Sequence, residues 1–199
     1  PHDLGPVNVP SVALLGPDPG PRLVDAPGVI RPLPVLADAA AGVGMISLWE
    51  SPDNVVRRVP LVLRAGGQIY PALTMEMLRI AVGERTYIVE SDPAGVAALL
   101  IGRYRVPTDY SGQIWVHYRP SVAAQYVSAG EVIAGRVAPD TFRDNFVLVG
   151  TSATGLGDIK ATPLDPSRPG VEVHAQALET VLAGDVLSRP AIADALELA

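Results

Sequence analysis

The sequence predicts a single α/β domain with a mixed, mainly central β-sheet flanked by helices. Of its 199 residues, 48% are hydrophobic and 18% are charged, which is enough apolar surface for one core. Apolar runs of strand length stand out at residues 55–64 and 145–150. Two segments carry helix signals, residues 71–82 and 170–184, and the second follows a strand as in half of a βαβ unit.

The first part of the chain is rich in proline and has little periodicity. Because proline fixes φ and cannot donate to a β-ladder, residues 1–34 are predicted to be loop-rich and extended. Within them, residues 7–9 and 12–15 are each predicted to form a short edge strand. Residues 34–41 follow as a short helix, with proline tolerated in the first turn.

Two apolar segments then predict strands, residues 43–49 and residues 55–64, separated by a turn. Gly66 and Gly67 supply the positive φ angles of a tight hairpin turn into residues 68–70.

The next segment, residues 71–82, predicts a helix that ends at Gly83. Glu76 and Arg79 are expected on its solvent side as an exposed ion pair. The apolar residues that should form its buried face are Leu73, Met77, Leu78, Ala81 and Val82.

Three further strands are predicted at residues 86–90, 96–101 and 113–118. The last alternates, so that Ile114, Val116 and Tyr118 should share one face. Ser128 is a plausible N-cap for a short helix over residues 128–135.

The C-terminal part predicts a strand, a long loop and a helix. The continuous apolar run at residues 145–150 is typical of a strand buried on both faces of a sheet. Residues 151–169 show no regular pattern, and loops of that length are usually functional or disordered. In the helix at 170–184, Glu172, Gln176 and Glu179 are expected on the polar face.

Composition excludes several classes of function. The formal net charge is −6, which argues against general binding to nucleic acid or to anionic membranes. The absence of cysteine excludes disulfides, thiolate metal sites and cysteine nucleophiles. No apolar run approaches the roughly 20 residues that a membrane-spanning helix needs.

Two catalytic or phosphate-binding motifs are only partly matched after the strand at 145–150. Gly150 and Gly155 have P-loop spacing, but the Lys-Ser/Thr pair that contacts phosphates does not follow, so that reading fails. Ser152 resembles a nucleophile elbow except that Thr154 stands where the motif needs glycine. A hydrolase with Ser152 as nucleophile and His174 as base therefore stays open, beside a loop whose hydroxyls simply satisfy the backbone.

The same loop is the predicted ligand site, because open α/β sheets bind ligands at the carboxyl ends of their strands. Its hydroxyl and charged side chains, with the first turn of the following helix, could meet a polar or anionic small molecule. The alternative is a solvated loop held by weak ion pairs. The candidate ligand-binding residues are Thr151, Ser152, Thr154, Asp158, Lys160, Thr162, Glu172 and His174.

His174 is expected on the apolar side of its helix, as a core histidine or as a ligand or pH-sensing group. Arg57 and Arg58 point to opposite faces of their strand, so one is expected to pair with a carboxylate and the other to be solvated. No catalytic residue is assigned, and no cofactor is expected. No metal site is predicted either, because no set of residues has metal-ligand spacing.

Several blocks in a fixed order resemble the CHASE2 domain. They are DNVVRRVPL at residues 53–61, QIYPAL at 68–73, FRDNFVLVGTSA at 142–153, LGDIKATPL at 156–164 and PGVEVHAQALE at 169–179. The positions that carry the resemblance as structural motif residues are Asp53, Asn54, Arg57, Arg58, Pro60, Gly150, Pro163 and Gly170.

The resemblance implies an extracytoplasmic sensory domain of a bacterial membrane receptor, on the periplasmic face and held in the membrane only by flanking segments. It implies a cytoplasmic output that is often an adenylate or guanylate cyclase, or otherwise a histidine kinase, a Ser/Thr kinase or a diguanylate cyclase. The expected partners are an unidentified small molecule or environmental cue and a second copy of the receptor, with no nucleic acid. A ligand-free dimerisation module is the remaining alternative.

The resemblance also divides the chain into a Pro-rich segment (residues 1–34), a CHASE2-like domain (35–190) and the start of a connection to a following membrane segment (191–199). Three departures from the family pattern stand out. Asn54 replaces a glycine but tolerates positive φ, Arg119-Pro120 follows Tyr118 where the family tends to have x-Gly, and the family's opening strand does not precede Pro1. The chain is therefore expected to be a piece of a longer protein.

Overall fold

A four-stranded mixed sheet carries the largest core of the domain. The computed structural model describes residues 10–152 and 157–187. The edge strand β1 pairs in parallel with β6, which pairs antiparallel with β7, and β7 pairs antiparallel with β8. The strands of this sheet are β1 (Ser11–Leu15), β6 (Thr86–Asp92), β7 (Gly95–Ile101) and β8 (Tyr104–Pro107).

Three smaller sheets are also present in the described part of the chain. In the first, β4 forms an antiparallel hairpin with β5 and pairs in parallel with β2. In the others, β3 pairs with β9 and β10 with β11, both antiparallel. Their strands are β2 (Asp25–Ala26), β3 (Arg58–Pro60), β4 (Val62–Ala65), β5 (Gln68–Pro71), β9 (Gln113–Trp115), β10 (Ile159–Lys160) and β11 (Arg168–Pro169).

The β4–β5 hairpin turns where the sequence predicts. Gly66 and Gly67 have φ angles of 56° and 81°, the left-handed values that glycine adopts at little cost. The predicted strand at residues 55–64 is interrupted at Leu61, because its first part pairs with β9 and its second part with β5. That one apolar run therefore contributes to two sheets.

The described residues form four α-helices, of which the two long ones bury side chains in the core. Both long helices end at a glycine in the left-handed conformation, Gly83 and Gly184, as predicted. The short helix after Ser128 is confirmed, although the Ser128 side chain makes no capping hydrogen bond. The helices are α1 (Pro34–Ala39), α2 (Leu73–Val82), α3 (Ala129–Ile133) and α4 (Gly170–Ala183), and two single 3₁₀ turns lie at Ala123–Gln125 and Pro139–Phe142.

Helix α4 joins two hydrophobic clusters. Val181 packs in the cluster that lies against the four-stranded sheet, together with Met75, Tyr87 and Leu99. Ala177 and Val173, one and two turns earlier, pack in a second cluster with residues of β3 and of the segment after β9. The fold class is confirmed as a single α/β domain with mixed sheets, in which one helix connects the cores.

Two predicted strands are wrong. In residues 43–49 only Met45 forms a β-bridge, to Ala72, because the segment crosses the end of the hairpin where α2 begins. Residues 145–150 form no strand, and Val149 is 90% exposed instead of buried. Within the described part of the chain no strand runs beside this segment, so its backbone has no ladder to join.

The buried face of α2 also differs from the prediction. Glu76, expected in solvent, is only 2% exposed, whereas Val82 lies at the surface. Arg79 donates to both carboxylate oxygens of Glu76, at 2.9 and 2.7 Å, and the Tyr87 hydroxyl also donates to that carboxylate. A carboxylate that accepts several hydrogen bonds can be buried, because the donors compensate its lost hydration. The spacing of apolar residues in the sequence does not show these donors.

Most of the remaining predicted strands are confirmed. The strands predicted at residues 86–90, 96–101 and 113–118 overlap β6, β7 and β9. As predicted, Ile114, Val116 and Tyr118 are all buried. Strand β8 was not predicted, and the loop at 151–169 contains β10 and β11. The edge strand predicted at 12–15 is confirmed as β1, while the one at residues 7–9 lies outside the described residues.

Candidate functional site

The described hydroxyl-bearing residues of the predicted ligand loop lie in different environments. Thr151 and Ser152 are exposed, and Thr154 lies outside the described residues. Thr162 is buried and holds a turn, because its hydroxyl donates to the carbonyl of Asp165 at 3.0 Å and accepts from the Asp165 amide at 3.1 Å. Pro163 lies exposed in that same turn. Thr162 therefore serves the backbone here.

His174 is buried in the first part of α4, as expected, with 6% of its surface exposed. Its Nε2 lies 3.2 Å from the carbonyl oxygen of Ile46, and its buried Nδ1 has no partner among the described residues. Burial lowers the pKa of His174, while the Ile46 carbonyl and the nearby Asp158 oppose that effect. Within the described residues, no hydrogen bond joins His174 to Ser152, the contact that a hydrolase would need.

Glu172 is buried beside Arg168, contrary to its predicted position on a polar face. Its carboxylate accepts from the Arg168 guanidinium and, at 2.6 Å, from the Ser121 hydroxyl. Arg168 is 1% exposed and its guanidinium carbon lies 5.8 Å from the ring centre of Tyr118, whose pKa is raised by burial. This buried pair holds α4 against the segment after β9.

Gln176, also expected on the polar face, is buried at the same interface. Its side-chain amide accepts from the Arg119 backbone at 2.9 Å and donates to the Arg119 carbonyl at 3.4 Å. Thr180 accepts from the His117 amide at 3.1 Å. Side chains of α4 thus satisfy backbone groups of residues 117–119 that a neighbouring strand would otherwise satisfy.

Both glycines of the family pattern in this region mark close approaches. A Cβ at Gly150 would lie 2.4 Å from the Cβ of Val171, and one at Gly170 would lie 2.2 Å from an Asp158 carboxylate oxygen. The amide of Gly170 donates to the Asp158 carbonyl at 2.7 Å. The two glycines let the loop and the start of α4 pack directly together.

The two adjacent arginines both find carboxylates, which corrects the expectation that one is solvated. Arg57 donates to both oxygens of Asp53, at 2.8 and 2.7 Å, and this contact lowers the pKa of Asp53 to about 2. Asn54 beside it has a φ of 60°, the positive value expected there. On the opposite face, Arg58 lies 3.3 Å from Asp109, while Pro60 at the end of β3 is buried.

Arg58 borders a cavity of about 210 Å³ that was not predicted from the sequence. The cavity lies between the turn after residue 49 and the β3–β9 pair, and the chain segments that meet there are far apart in sequence. Lys160 connects it with the predicted ligand loop, because its ammonium lies 2.9 Å from the Glu50 carboxylate. The cavity is lined by Val24, Trp49, Glu50, Ser51, Pro52, Arg58 and Gln113.

The Arg58 guanidinium is held in place on two sides. Its carbon lies 5.3 Å from the ring centre of Trp115, a cation–π distance. Asp109, its partner, is itself fixed because one of its oxygens accepts from the Ser111 amide and hydroxyl and from the Gln113 amide, at 2.7 to 3.0 Å. A turn built on one aspartate therefore positions the arginine at the cavity.

Comparison with protein-family models matches residues 8–198 to the CHASE2 domain. The chain belongs to the CHASE2 family. As a CHASE2 domain it is an extracytoplasmic sensory domain of receptors, and its role is input rather than catalysis. No curated protein and no solved structure matches the chain significantly.

Two further properties of this CHASE2 domain concern membranes and metals. Among residues 10–152 and 157–187, no helix is long and apolar enough to cross a bilayer. The same residues contain no group of three or more acidic or histidine side chains placed to hold a metal ion.

Proposed function

We propose that this CHASE2 domain is the periplasmic input domain of a homodimeric bacterial transmembrane receptor that regulates a cytoplasmic adenylate or guanylate cyclase. The observation that carries the proposal is the family match over residues 8–198, nearly the whole chain. A small molecule that binds one arrangement of the domain more tightly shifts the population toward that arrangement, which then changes the relation of the two copies across the membrane.

The described contacts offer a physical route for that signal. Strands β3 and β9 border the cavity through Arg58 and Gln113. Trp115, the last residue of β9, stacks against the Arg58 guanidinium. Its backbone also forms an antiparallel bridge to Leu187, which follows α4. A change at the cavity therefore has a short path through Trp115 to the chain beyond α4.

The output is tested with the full-length receptor in membrane vesicles, incubated with ATP or GTP. We expect cyclic AMP or cyclic GMP as the product. Receptor autophosphorylation or cyclic di-GMP in its place would overturn the cyclase proposal and identify a kinase or a diguanylate cyclase.

The input role is tested in the same vesicles by substituting the domain alone. Replacing Gln176 with alanine cuts the bonds between α4 and the segment after β9, and we expect cyclic nucleotide production to change several-fold. The matched substitution at the exposed Gln68 of β5, whose side chain accepts from Tyr70 and not from α4, should leave it unchanged. An output that ignores both substitutions would contradict a signalling role for α4.

A further inference from the structure

The cavity beside Arg58 presents charges of both signs to one small space. Arg58 lines it as a cation, and Glu50 lines it as an anion. Both groups keep hydrogen-bonding atoms without a partner among the described residues. Among the described residues only Nη1 of Arg58 has a hydrogen-bond partner, and only Oε1 of Glu50 does, to Lys160.

The Arg58 side of the cavity is suited to a carboxylate. A guanidinium carries five N–H donors in a planar fork, and the N–H of Nε, both N–H groups of Nη2 and the second N–H of Nη1 remain after the single contact to Asp109. Stacking on Trp115 and the fixed Asp109 hold the fork in one orientation, which lowers the entropy lost when a ligand binds. Planar two-point contacts of this kind recognise carboxylates.

The other side of the cavity is suited to an ammonium group with a short apolar substituent. Glu50 supplies a carboxylate and Ser51 a neighbouring hydroxyl, while Trp49 and Val24 supply apolar surface. An ammonium beside a carboxylate and an indole gains both charge attraction and a cation–π contact.

The volume sets the size of the occupant. A cavity of about 210 Å³ is smaller than the roughly 300–1,000 Å³ of pockets that enclose drug-sized ligands. Its size therefore favours a small metabolite.

We infer that this cavity binds a small neutral α-amino acid, with its carboxylate on Arg58, its ammonium on Glu50 and its side chain against Trp49 and Val24. The inference rests on the proposed function, since it names the ligand class of that sensor. It moves the binding site from the loop at residues 151–162 to the cavity, which touches that loop through the ion pair of Glu50 with Lys160.

The direct test is a titration of the 199-residue chain with L-alanine, L-serine and L-valine, followed by intrinsic fluorescence and by calorimetry. The two tryptophans of the chain are Trp49 and Trp115, and both lie at the site, so an occupant should change the emission. We expect saturable binding of at least one of the three. No binding of any of them up to about 10 mM would overturn the inference.

The two charged contacts are separated with analogues of valine. 3-Methylbutanoate lacks the ammonium and isobutylamine lacks the carboxylate, so each should bind at least about tenfold more weakly than valine. If either analogue binds as tightly as valine, the assignment of the corresponding charge is wrong.

Substitutions locate the contacts in the chain. Arg58→Gln and Glu50→Gln should each weaken amino-acid binding by about 10- to 100-fold, the loss expected for one charge-assisted hydrogen bond. Arg57→Gln is the matched control, because Arg57 is the adjacent residue on the other face of the strand and pairs with Asp53; binding should stay within about twofold. Thermal unfolding of each variant establishes that it is folded. Equal losses in all three folded variants would overturn the site.

Failure of this inference and failure of the proposed function have different signatures. If the amino acids do not bind but the Gln176 substitution changes cyclic nucleotide output in the full-length receptor, the ligand class is wrong and the sensory role stands. If valine binds the chain but the receptor makes no cyclic nucleotide, the binding site stands and the cyclase assignment falls.

Discussion

At the scale of single residues, buried charges that are matched by specific partners define this domain. Glu172 and Arg168 lie inside the protein next to Tyr118, and the Ser121 hydroxyl completes the contacts of the carboxylate. Removing one member of such a pair leaves the other charge buried without compensation, which costs far more than loss of a surface ion pair.

We therefore expect Glu172→Gln to lower the free energy of unfolding by about 3 kcal/mol or more, because the Arg168 guanidinium stays buried without its counter-charge. The measurement is urea unfolding followed by circular dichroism. The control is Glu179→Gln on the same helix. Among the described residues the Glu179 carboxylate hydrogen-bonds only to the exposed Gln125 amide, so the effect should stay within about 0.5 kcal/mol. Comparable losses in both variants would contradict the importance of the buried pair.

At the scale of elements, α4 packs in the core and also supplies hydrogen bonds to the backbone of the segment after β9. Its Gln176 and Thr180 side chains satisfy backbone groups of residues 117–119, which continue β9 beyond its paired part. Unpaired backbone amides next to a buried helix would otherwise cost free energy, so these two side chains keep the segment beside α4.

Substituting Gln176 with alanine should release the Arg119 amide, and its hydrogen–deuterium exchange should become faster by about tenfold or more. The loss of stability should be about 1 to 3 kcal/mol, because a backbone donor and acceptor lose their partner. Exchange at amides of the β4–β5 hairpin serves as the internal reference. If the Arg119 and hairpin amides accelerate equally, the effect is global and the local anchoring role is refuted.

At the scale of the whole molecule, stability depends on pH through a histidine that folding keeps neutral. Burial lowers the pKa of His174 below its ordinary value of 6.5. In the window between that value and the lowered pKa, the unfolded chain binds more protons than the folded chain, so stability rises with pH. The contribution of His174 is complete above about pH 6.5 and is lost as the pH falls toward the lowered pKa.

We expect the melting temperature of the wild type to fall as the pH is lowered from about 7 to about 5. The melting temperature of the His174→Gln variant should fall less over the same range. Glutamine can still donate to the Ile46 carbonyl but does not titrate, so the comparison isolates the proton. His117→Gln is the control, because His117 lies half-exposed near Asp185. Parallel curves for the wild type and His174→Gln would show that His174 does not carry the pH dependence.

Local sequence determined the elements whose signals are local. Gly66 and Gly67 set the hairpin, Gly83 and Gly184 ended the two long helices, and His174 was assigned correctly to a buried helix face. The family, too, is a property of the sequence, since the motif order alone resembles the CHASE2 domain and the match covers residues 8–198. Each of these depends on the conformational preference of single residues or on the order of residues in the chain. Both can be seen without knowing which distant segments come into contact.

Tertiary structure decided what depends on partners far along the chain. Periodicity predicts Glu76 and Glu172 in solvent, yet both are buried, and hydroxyls from other elements, Tyr87 for Glu76 and Ser121 for Glu172, supply donors that allow this burial. The apolar run at residues 145–150 reads as a buried strand, but a strand needs a neighbour, and the described part of the chain places none beside it. The cavity at Arg58 likewise forms only because the turn after Trp49 meets the β3–β9 pair, so residue types alone, without their contacts, could not reveal it.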